Sequence, residues 1–128
     1  MFEQPAQILD FWLEKLNAGE FVRVAGLYNQ RAVLLPTFAG ESLRSSEAIQ
    51  AYFERLRGYR NVTVFLHPDS VVIQRLSEFI HCLGGMYYWQ FEDEDQSRLI
   101  EARFTFVVDL RLDAPILHHH SSRVPQVL

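Results

Sequence analysis

The sequence predicts an α+β fold in which a curved antiparallel sheet wraps over helices from the start of the chain. Before Gly58, most apolar residues recur at helical spacing. After Gly58, apolar and polar residues alternate, which is typical of strands that bury one face. Helices followed by a run of antiparallel strands indicate an α+β domain.

Three helices are predicted before Gly58. The sequence "NAG" at 17–19 stops the first, while Ser45 or Ser46 can cap the third. Their apolar stripes are, in chain order, Ile8, Phe11, Trp12 and Leu16; Phe21, Val24, Ala25 and Tyr28; and Ile49, Tyr52, Phe53 and Leu56. Such stripes are normally the core-facing sides of their helices.

The strands are predicted from alternation and from the turns between them. A short strand is expected from Ala32 to Leu35, and "NVTVFLHPDSVVIQRL" is predicted to be strand with a turn or bulge at 67–69. In the long strand "EFIHCLGGMYYWQF", Gly84 and Gly85 predict a bulge or sharp bend. The acidic run "EDEDQS" is a hairpin tip, followed by the strands "RLIEARFTFVVDL" and "ILHHHSS".

Length, charge and cysteine content limit the number of domains and the kinds of partner that this protein can have. A chain of 128 residues is expected to form a single domain, 1–128. The formal net charge of −4, without a basic stripe, argues against nucleic acid as a partner. Cys82 has no second cysteine with which to form a disulfide. Neither a membrane-spanning run nor a signal peptide is recognisable, so a cytoplasmic protein without a membrane partner is expected.

Four segments in order carry a family resemblance: "LNAGEFVRVAGLYNQRAVLLPTF", "SSEAIQAYFERL", "EARFTFVV" and "HHHSSRVP". Together they resemble the nuclear transport factor 2-like (SnoaL-like) superfamily. Within it, the chain is most similar to bacterial proteins related to the association domain of calcium/calmodulin-dependent protein kinase II. The resemblance implies a cone-shaped, cystatin-like fold with a pocket at its open end. Because one fold hosts many activities, function must be argued from the site.

The resemblance also suggests a ligand pocket that contains Arg103 together with His118 or His120. Alternation puts Glu101, Arg103 and Thr105 on one face of their strand, and it puts His118 and His120 on one face of the last strand. A guanidinium group in a pocket suits a carboxylate or phosphate. An ion pair between Arg103 and an acid such as Glu101 is the competing interpretation.

The histidines do not predict a metal site. Only His118 and His120 can share one, whereas zinc needs at least a third protein ligand. His81 or a carboxylate could be that ligand, but no H-x-x-x-H or C-x-x-C spacing supports a metal site. Acid–base chemistry suits histidine better, because its ordinary pKa lies near neutrality. A histidine that merely forms hydrogen bonds in a pocket wall or subunit interface is the alternative.

Aromatic residues are expected to line the pocket. The candidate residues are Trp12, Tyr52, Phe53, Tyr88 and Trp89. Because neighbouring strand residues point in opposite directions, at most one of Tyr88 and Trp89 can face the cone. This lining favours a small, largely apolar ligand with one anionic group.

Two functions are compatible with these features. The first is a small-molecule-binding and self-association domain, at least a homodimer, formed through a sheet face that helices leave uncovered. The second is a SnoaL-like isomerase, cyclase or dehydratase that needs no cofactor. In that enzyme His118 or His120 would be the acid–base, and Arg103 would hold an anion or oxyanion.

Overall fold

In the computed structural model, which describes residues 2–127, three helices and a curved six-stranded sheet form the α+β fold predicted from the sequence. Short 3₁₀ turns follow the third helix at Arg55–Gly58 and join two strands at Pro68–Ser70. The helices are α1 (Pro5–Asn17), α2 (Phe21–Ala25) and α3 (Ser46–Glu54). The strands are β1 (Tyr28–Leu35), β2 (Arg60–Leu66), β3 (Val72–Arg75), β4 (Ile80–Asp93), β5 (Gln96–Asp109) and β6 (Ile116–Arg123).

The helix ends follow from local chemistry. The side-chain oxygen of Gln7 accepts a hydrogen bond from the backbone N–H of Gln4 at 3.0 Å. This bond satisfies one of the backbone N–H groups that have no partner at the start of α1. After α1, Gly19 adopts φ 75°, a conformation that glycine reaches without strain. Ser45 caps α3 by accepting the N–H of Ala48 at 3.1 Å, as its position in the sequence predicted.

The sheet is mixed rather than wholly antiparallel. Its strand order is β1-β6-β5-β4-β2, with β3 also paired to β4. Every pair is antiparallel except β1 with β6, which run parallel. Strand β1 also begins at Tyr28, earlier than the expected start at Ala32. This early start carries the side chain of Tyr28 into the core, where it is 4% exposed.

Strand β4 passes through its two glycines without a bulge, so the bulge, one of the two predicted alternatives, is wrong. Gly84 pairs with Thr105 and Gly85 with Phe104 in unbroken register. The reason for a glycine at 85 is packing. A Cβ there would lie 3.0 Å from the Phe104 ring and 3.1 Å from Ser70 Oγ, both closer than normal contacts.

The two faces of the sheet differ sharply. The inner face packs against the helices around Trp12, whose side chain is fully buried. It consists of Leu83, Tyr87, Trp89, Ala102, Phe104, Phe106, His119 and Ser121. The outer face has no helix over it in the described chain. It consists of Phe65, Val72, Met86, Tyr88, Leu99, Glu101, Arg103, His118 and His120.

Candidate functional site

The middle histidine of the triplet, His119, lies at the centre of a buried hydrogen-bond network. Its ring is 2% exposed, because the register of β6 on β5 sets it opposite Phe106 on the inner face. The two rings stack with centroids 3.8 Å apart. Tyr28 Oη lies 2.7 Å from Nδ1 of His119, and Tyr87 Oη lies 3.2 Å from Nε2. Both ring nitrogens of this histidine therefore have a partner.

The network has a direction, which begins at Trp12. The indole N–H of Trp12 donates to Tyr28 Oη at 3.0 Å, so the tyrosine proton is left to donate to Nδ1 of His119. Neutral His119 then carries its own proton on Nε2 and donates it to Tyr87. Tyr87 in turn donates to Ser121 Oγ at 2.7 Å. Each group therefore donates a hydrogen bond to the next one, from Trp12 on α1 to Ser121 on β6.

Thr37 is the last member of this network and lies at the edge of the core. It follows Pro36 directly after β1, and its hydroxyl forms a short hydrogen bond with Ser121 Oγ. Either hydroxyl can be the donor in this bond, because a serine oxygen that accepts from Tyr87 can accept a second hydrogen bond or donate its own proton. Thr37 is half-buried, so the network runs from the centre of the core to its edge.

Burial keeps the members of this network uncharged. Loss of solvent lowers the pKa of His119 well below its usual range, and the neighbouring His118 and His120 lower it further. The same effect raises the pKa of Tyr28 well above the ordinary value. Burial also raises the pKa of Tyr87, although hydrogen bonding with Ser121, Thr37 and Trp89 opposes the rise. Near neutral pH the network is therefore a set of dipoles without a net charge.

Aromatic packing fills the rest of the cone. Trp12 stacks on Tyr87 with ring centroids 5.8 Å apart and meets Trp89 edge to face at 6.0 Å. A cavity of about 10 Å³ lies among these rings, close to the minimum volume that one water molecule requires. It is lined by Trp12, Leu34, Pro36, Thr37, Tyr52, Phe53, Tyr87, Trp89, His119 and Ser121.

Four of the five aromatic residues predicted for the pocket wall line this cavity, namely Trp12, Tyr52, Phe53 and Trp89. Burial raises the pKa of Tyr52 to about 12, so its hydroxyl is protonated at neutral pH. The fifth candidate, Tyr88, does not belong to the pocket wall, so its inclusion among the pocket residues is wrong. Trp89 faces the cone instead, and Tyr88 stacks on Phe65 on the outer face with centroids 5.1 Å apart.

The placement of Arg103, His118 and His120 inside the cone is also wrong. The three do share a face, but it is the outer one, on which Arg103 and His120 are exposed. The apolar side of β5 faces the helices, because burying two phenylalanines is favourable and burying a guanidinium group is costly. The opposite prediction placed the helices over the wrong side of β5.

Sequence reasoning missed the residues that the core does bring together: Thr37, Tyr28, Tyr87, His119 and Ser121. One signal could have found His119. Phe104 and Phe106 had to face inward, and the residues of β6 that share their side are every second one. The role of Tyr28 had no such signal, since it depends on a contact across 91 residues.

Residues 2–127 contain neither a metal-binding group of side chains nor a membrane-spanning helix. No three histidine, cysteine or carboxylate side chains in this part of the chain are grouped to hold a metal ion. None of its helices combines the length and apolarity that a membrane crossing requires. The lining of the small cavity instead offers neutral hydroxyl, indole and imidazole groups, which can bind a polar atom, and it contains no carboxylate base.

Comparison with solved structures confirms the cone fold. A protein from Xanthomonas campestris, assigned to the calcium/calmodulin dependent protein kinase II association domain, is 30% identical with a TM-score of 0.83, over 95% of this chain and 86% of that one. A protein from Novosphingobium aromaticivorans, assigned as a scytalone dehydratase, is 10% identical with a TM-score of 0.81. The match covers 94% of this chain and 81% of that one.

An uncharacterised protein with a cystatin-like fold from Caulobacter vibrioides is 13% identical with a TM-score of 0.77, over 94% of this chain and 87% of that one. At such identities, the second and third relatives share the fold alone. No curated protein is similar enough in sequence to count as a match. The family model of the calcium/calmodulin dependent protein kinase II association domain matches residues 3–125. The chain therefore belongs to the calcium/calmodulin-dependent protein kinase II association domain family.

Proposed function

We propose that this protein is a self-association module that forms a homodimer through the outer face of its sheet. The observation that carries the proposal is an apolar and aromatic surface with no helix over it in the described chain. Phe65, Val72 and Leu99 on this surface are 40%, 62% and 65% exposed. Large apolar side chains grouped on an uncovered face are typical of an interaction site.

One aromatic pair on this face is preorganised. Phe65 and Tyr88 stack at 5.1 Å, and His67 meets the edge of Tyr88 at 5.2 Å. Rings that are already held by one another lose little freedom when a partner covers them. Aromatic residues of this kind often dominate the binding energy of an interface.

The charges of the face suit a two-fold arrangement. His67 Nε2 lies 3.7 Å from Glu101 Oε1, and Arg103 lies two residues further along β5. Arg103 has no ion-pair partner in the described part of its own chain. In a two-fold dimer each contact occurs twice, so Arg103 of one subunit can pair with Glu101 of the partner subunit in two equivalent places.

The area that a stable interface needs is a small share of the surface of this chain. A stable interface buries roughly 800 Å² on each partner. The described chain has a surface of 7773 Å², so such an interface would cover about a tenth of it. Family membership supports the same function, because both the matching model and the Xanthomonas relative carry the description "association domain".

The test is sedimentation velocity on the wild type and two variants. The wild type is expected to sediment as a dimer at about 10 µM, since dimer formation depends on protein concentration. Phe65→Arg should produce a folded monomer, because it places a charge in the apolar part of the contact. Tyr59→Arg is the matched control, since Tyr59 is also 40% exposed but lies off this face. A monomeric wild type, or a Phe65→Arg protein that stays dimeric, would contradict the proposal.

A second candidate function, a cofactor-independent isomerase, cyclase or dehydratase, is favoured by one observation. His119 is held by two tyrosine hydroxyls beside a cavity, so in this enzyme it would replace His118 or His120 as the acid–base. The cavity of about 10 Å³ weighs against it, because small-molecule sites usually measure roughly 300 Å³ or more. Turnover of a β-hydroxy ketone that is lost in His119→Gln would favour the enzyme.

A further inference from the structure

The sheet leaves the end of β6 without a neighbouring strand on one side. Leu35, the last residue of β1, pairs with His120, whereas β6 continues to Arg123. Pro36 follows β1 and has no N–H, so it cannot donate a further hydrogen bond to β6. The chain leaves the sheet through residues 37–42. A groove of about 250 Å³ lies between this loop and the end of β6.

The backbone N–H of Arg123 points towards the side of the groove. The N–H of the next residue, Val124, donates to the carbonyl oxygen of Glu101 on β5 at 2.9 Å. Backbone N–H groups of successive strand residues point to opposite edges of the strand. The N–H of Arg123 is therefore directed away from β5, to the side on which β1 has already ended. No strand of the described chain lies there to accept it.

The side chains that β6 contributes to the groove are hydrogen-bond donors. Arg123 lines it and has no ion pair with a carboxylate in residues 2–127. His120 and Ser122 line the same wall, and Ser42 adds a hydroxyl group from the loop. Because Arg123 and His120 are exposed, a ligand in solution can reach both of them.

These donors suit a phosphate group better than a carboxylate. A planar guanidinium group pairs with two oxygen atoms at once, and a carboxylate has no further oxygen. A phosphate monoester has a third, which imidazole, hydroxyl and backbone N–H groups can bind. Glu41 on the loop opposes an anion, but its side chain is exposed, so water screens its charge. The hydroxyl-rich walls also suit a polar remainder of the ligand.

We propose that the groove between the loop 36–42 and the end of β6 binds the phosphate group of a small polar phosphate monoester. The guanidinium group and the backbone N–H of Arg123 hold the phosphate oxygens, and His120 and Ser122 donate to them from the same wall. This site goes beyond self-association, because a monomer contains the same groove. The binding test and the sedimentation test therefore fail independently of each other.

The test is a titration of the wild type followed in ¹H–¹⁵N NMR spectra. Inorganic phosphate should move the backbone N–H signal of Arg123 downfield, because that group gains a hydrogen bond to an anion. The signal of Val124, whose N–H already donates to Glu101, should stay in place. Glycerol phosphate should bind more tightly than inorganic phosphate if the ligand is an ester. Acetate at the same ionic strength should bind about tenfold more weakly than phosphate.

Three variants complete the titration. Arg123→Gln should lower the affinity for phosphate about tenfold, because it removes the charged fork of donors. Arg31→Gln is the matched control, since Arg31 is also exposed but does not line the groove. Glu41→Gln should raise the affinity about threefold, because it removes a repelling charge. An Arg123 signal that does not respond to phosphate, or an equal loss of affinity in Arg31→Gln, would overturn the proposal.

Sulfate tests the role of His120, since its charge stays constant where histidine side chains titrate, near about pH 6.5. The neighbours of His120 are Arg123 on β6, Arg103 on β5, Glu41 on the loop and the apolar Leu35 on β1. Sulfate should bind about threefold more tightly at about pH 6 than at about pH 8, because a protonated imidazole adds a charge and a donor. His120→Gln should lose this dependence, and His118→Gln, outside the groove, should keep it. Wild-type binding that does not change with pH would overturn the proposal.

Discussion

Mild acid should destabilise this protein through His119. The unfolded chain protonates this histidine near its ordinary pKa of about 6.5, whereas the folded core keeps it neutral. Above that pH neither state carries the proton, and stability does not depend on it. As the pH falls below about 6.5, only the unfolded state gains the proton, so the free energy of unfolding decreases.

The size of the effect follows from one proton. Each pH unit below the unfolded pKa removes about 1.4 kcal/mol, and the loss ends only where the folded imidazole itself titrates. Between about pH 7.5 and about pH 5 the total loss is about 2 kcal/mol, if the folded imidazole stays neutral throughout. This is a sizeable part of the roughly 5–15 kcal/mol that stabilises an ordinary domain.

The assay is urea unfolding of the wild type, His119→Gln and His118→Gln at several pH values in this range. His118 lies on the outer face, so His118→Gln should keep the pH dependence of the wild type. His119→Gln should be less stable at neutral pH and should show a much flatter profile. A wild-type free energy of unfolding that does not fall in acid, or an unchanged slope in His119→Gln, would refute this reasoning.

Two other substitutions test the core by urea unfolding. Tyr28→Phe leaves the N–H of Trp12 and Nδ1 of His119 without partners. It should lower the free energy of unfolding by about 3 kcal/mol, since each unsatisfied buried group costs about 1–3 kcal/mol. A loss below about 1 kcal/mol would contradict the network. Gly85→Ala should cost about 1–2 kcal/mol, because its Cβ would lie 3.0 Å from a phenylalanine ring. Gly84→Ala should cost less, since its nearest neighbour is 3.7 Å away, and equal costs would refute the packing argument.

The fold was predictable from the sequence because its signals are local. Helical stripes, the cap at Ser45 and the alternation after Gly58 each depend on residues close together in the chain. Strand β1 was predicted too short because Asn29, Gln30 and Arg31 are polar and lie at the exposed edge of the sheet. An edge strand needs no apolar alternation where one side faces solvent.

The candidate site was less predictable, because it depends on which face of the sheet is covered. Alternation correctly grouped Arg103 with His118 and His120, but alternation is the same whichever side the helices occupy. Sequence alone therefore favoured His118 and His120, the outer-face members of the triplet, as the site candidates. His119 instead acts as a neutral core residue, which is possible only because two distant tyrosines satisfy its nitrogens.

The parallel pairing of β1 with β6 also determines when the domain can fold during synthesis. Tyr28 and His119 are 91 residues apart, and β6 lies between β1 and β5 in the sheet. Contacts between distant residues form slowly, because a long loop must close before they stabilise the chain. A nascent chain on the ribosome therefore exposes the aromatic face of α1 and an unpaired edge of β5 until β6 has been translated. Chains truncated before β6 would expose the same surfaces permanently and should be targets for chaperones and proteases.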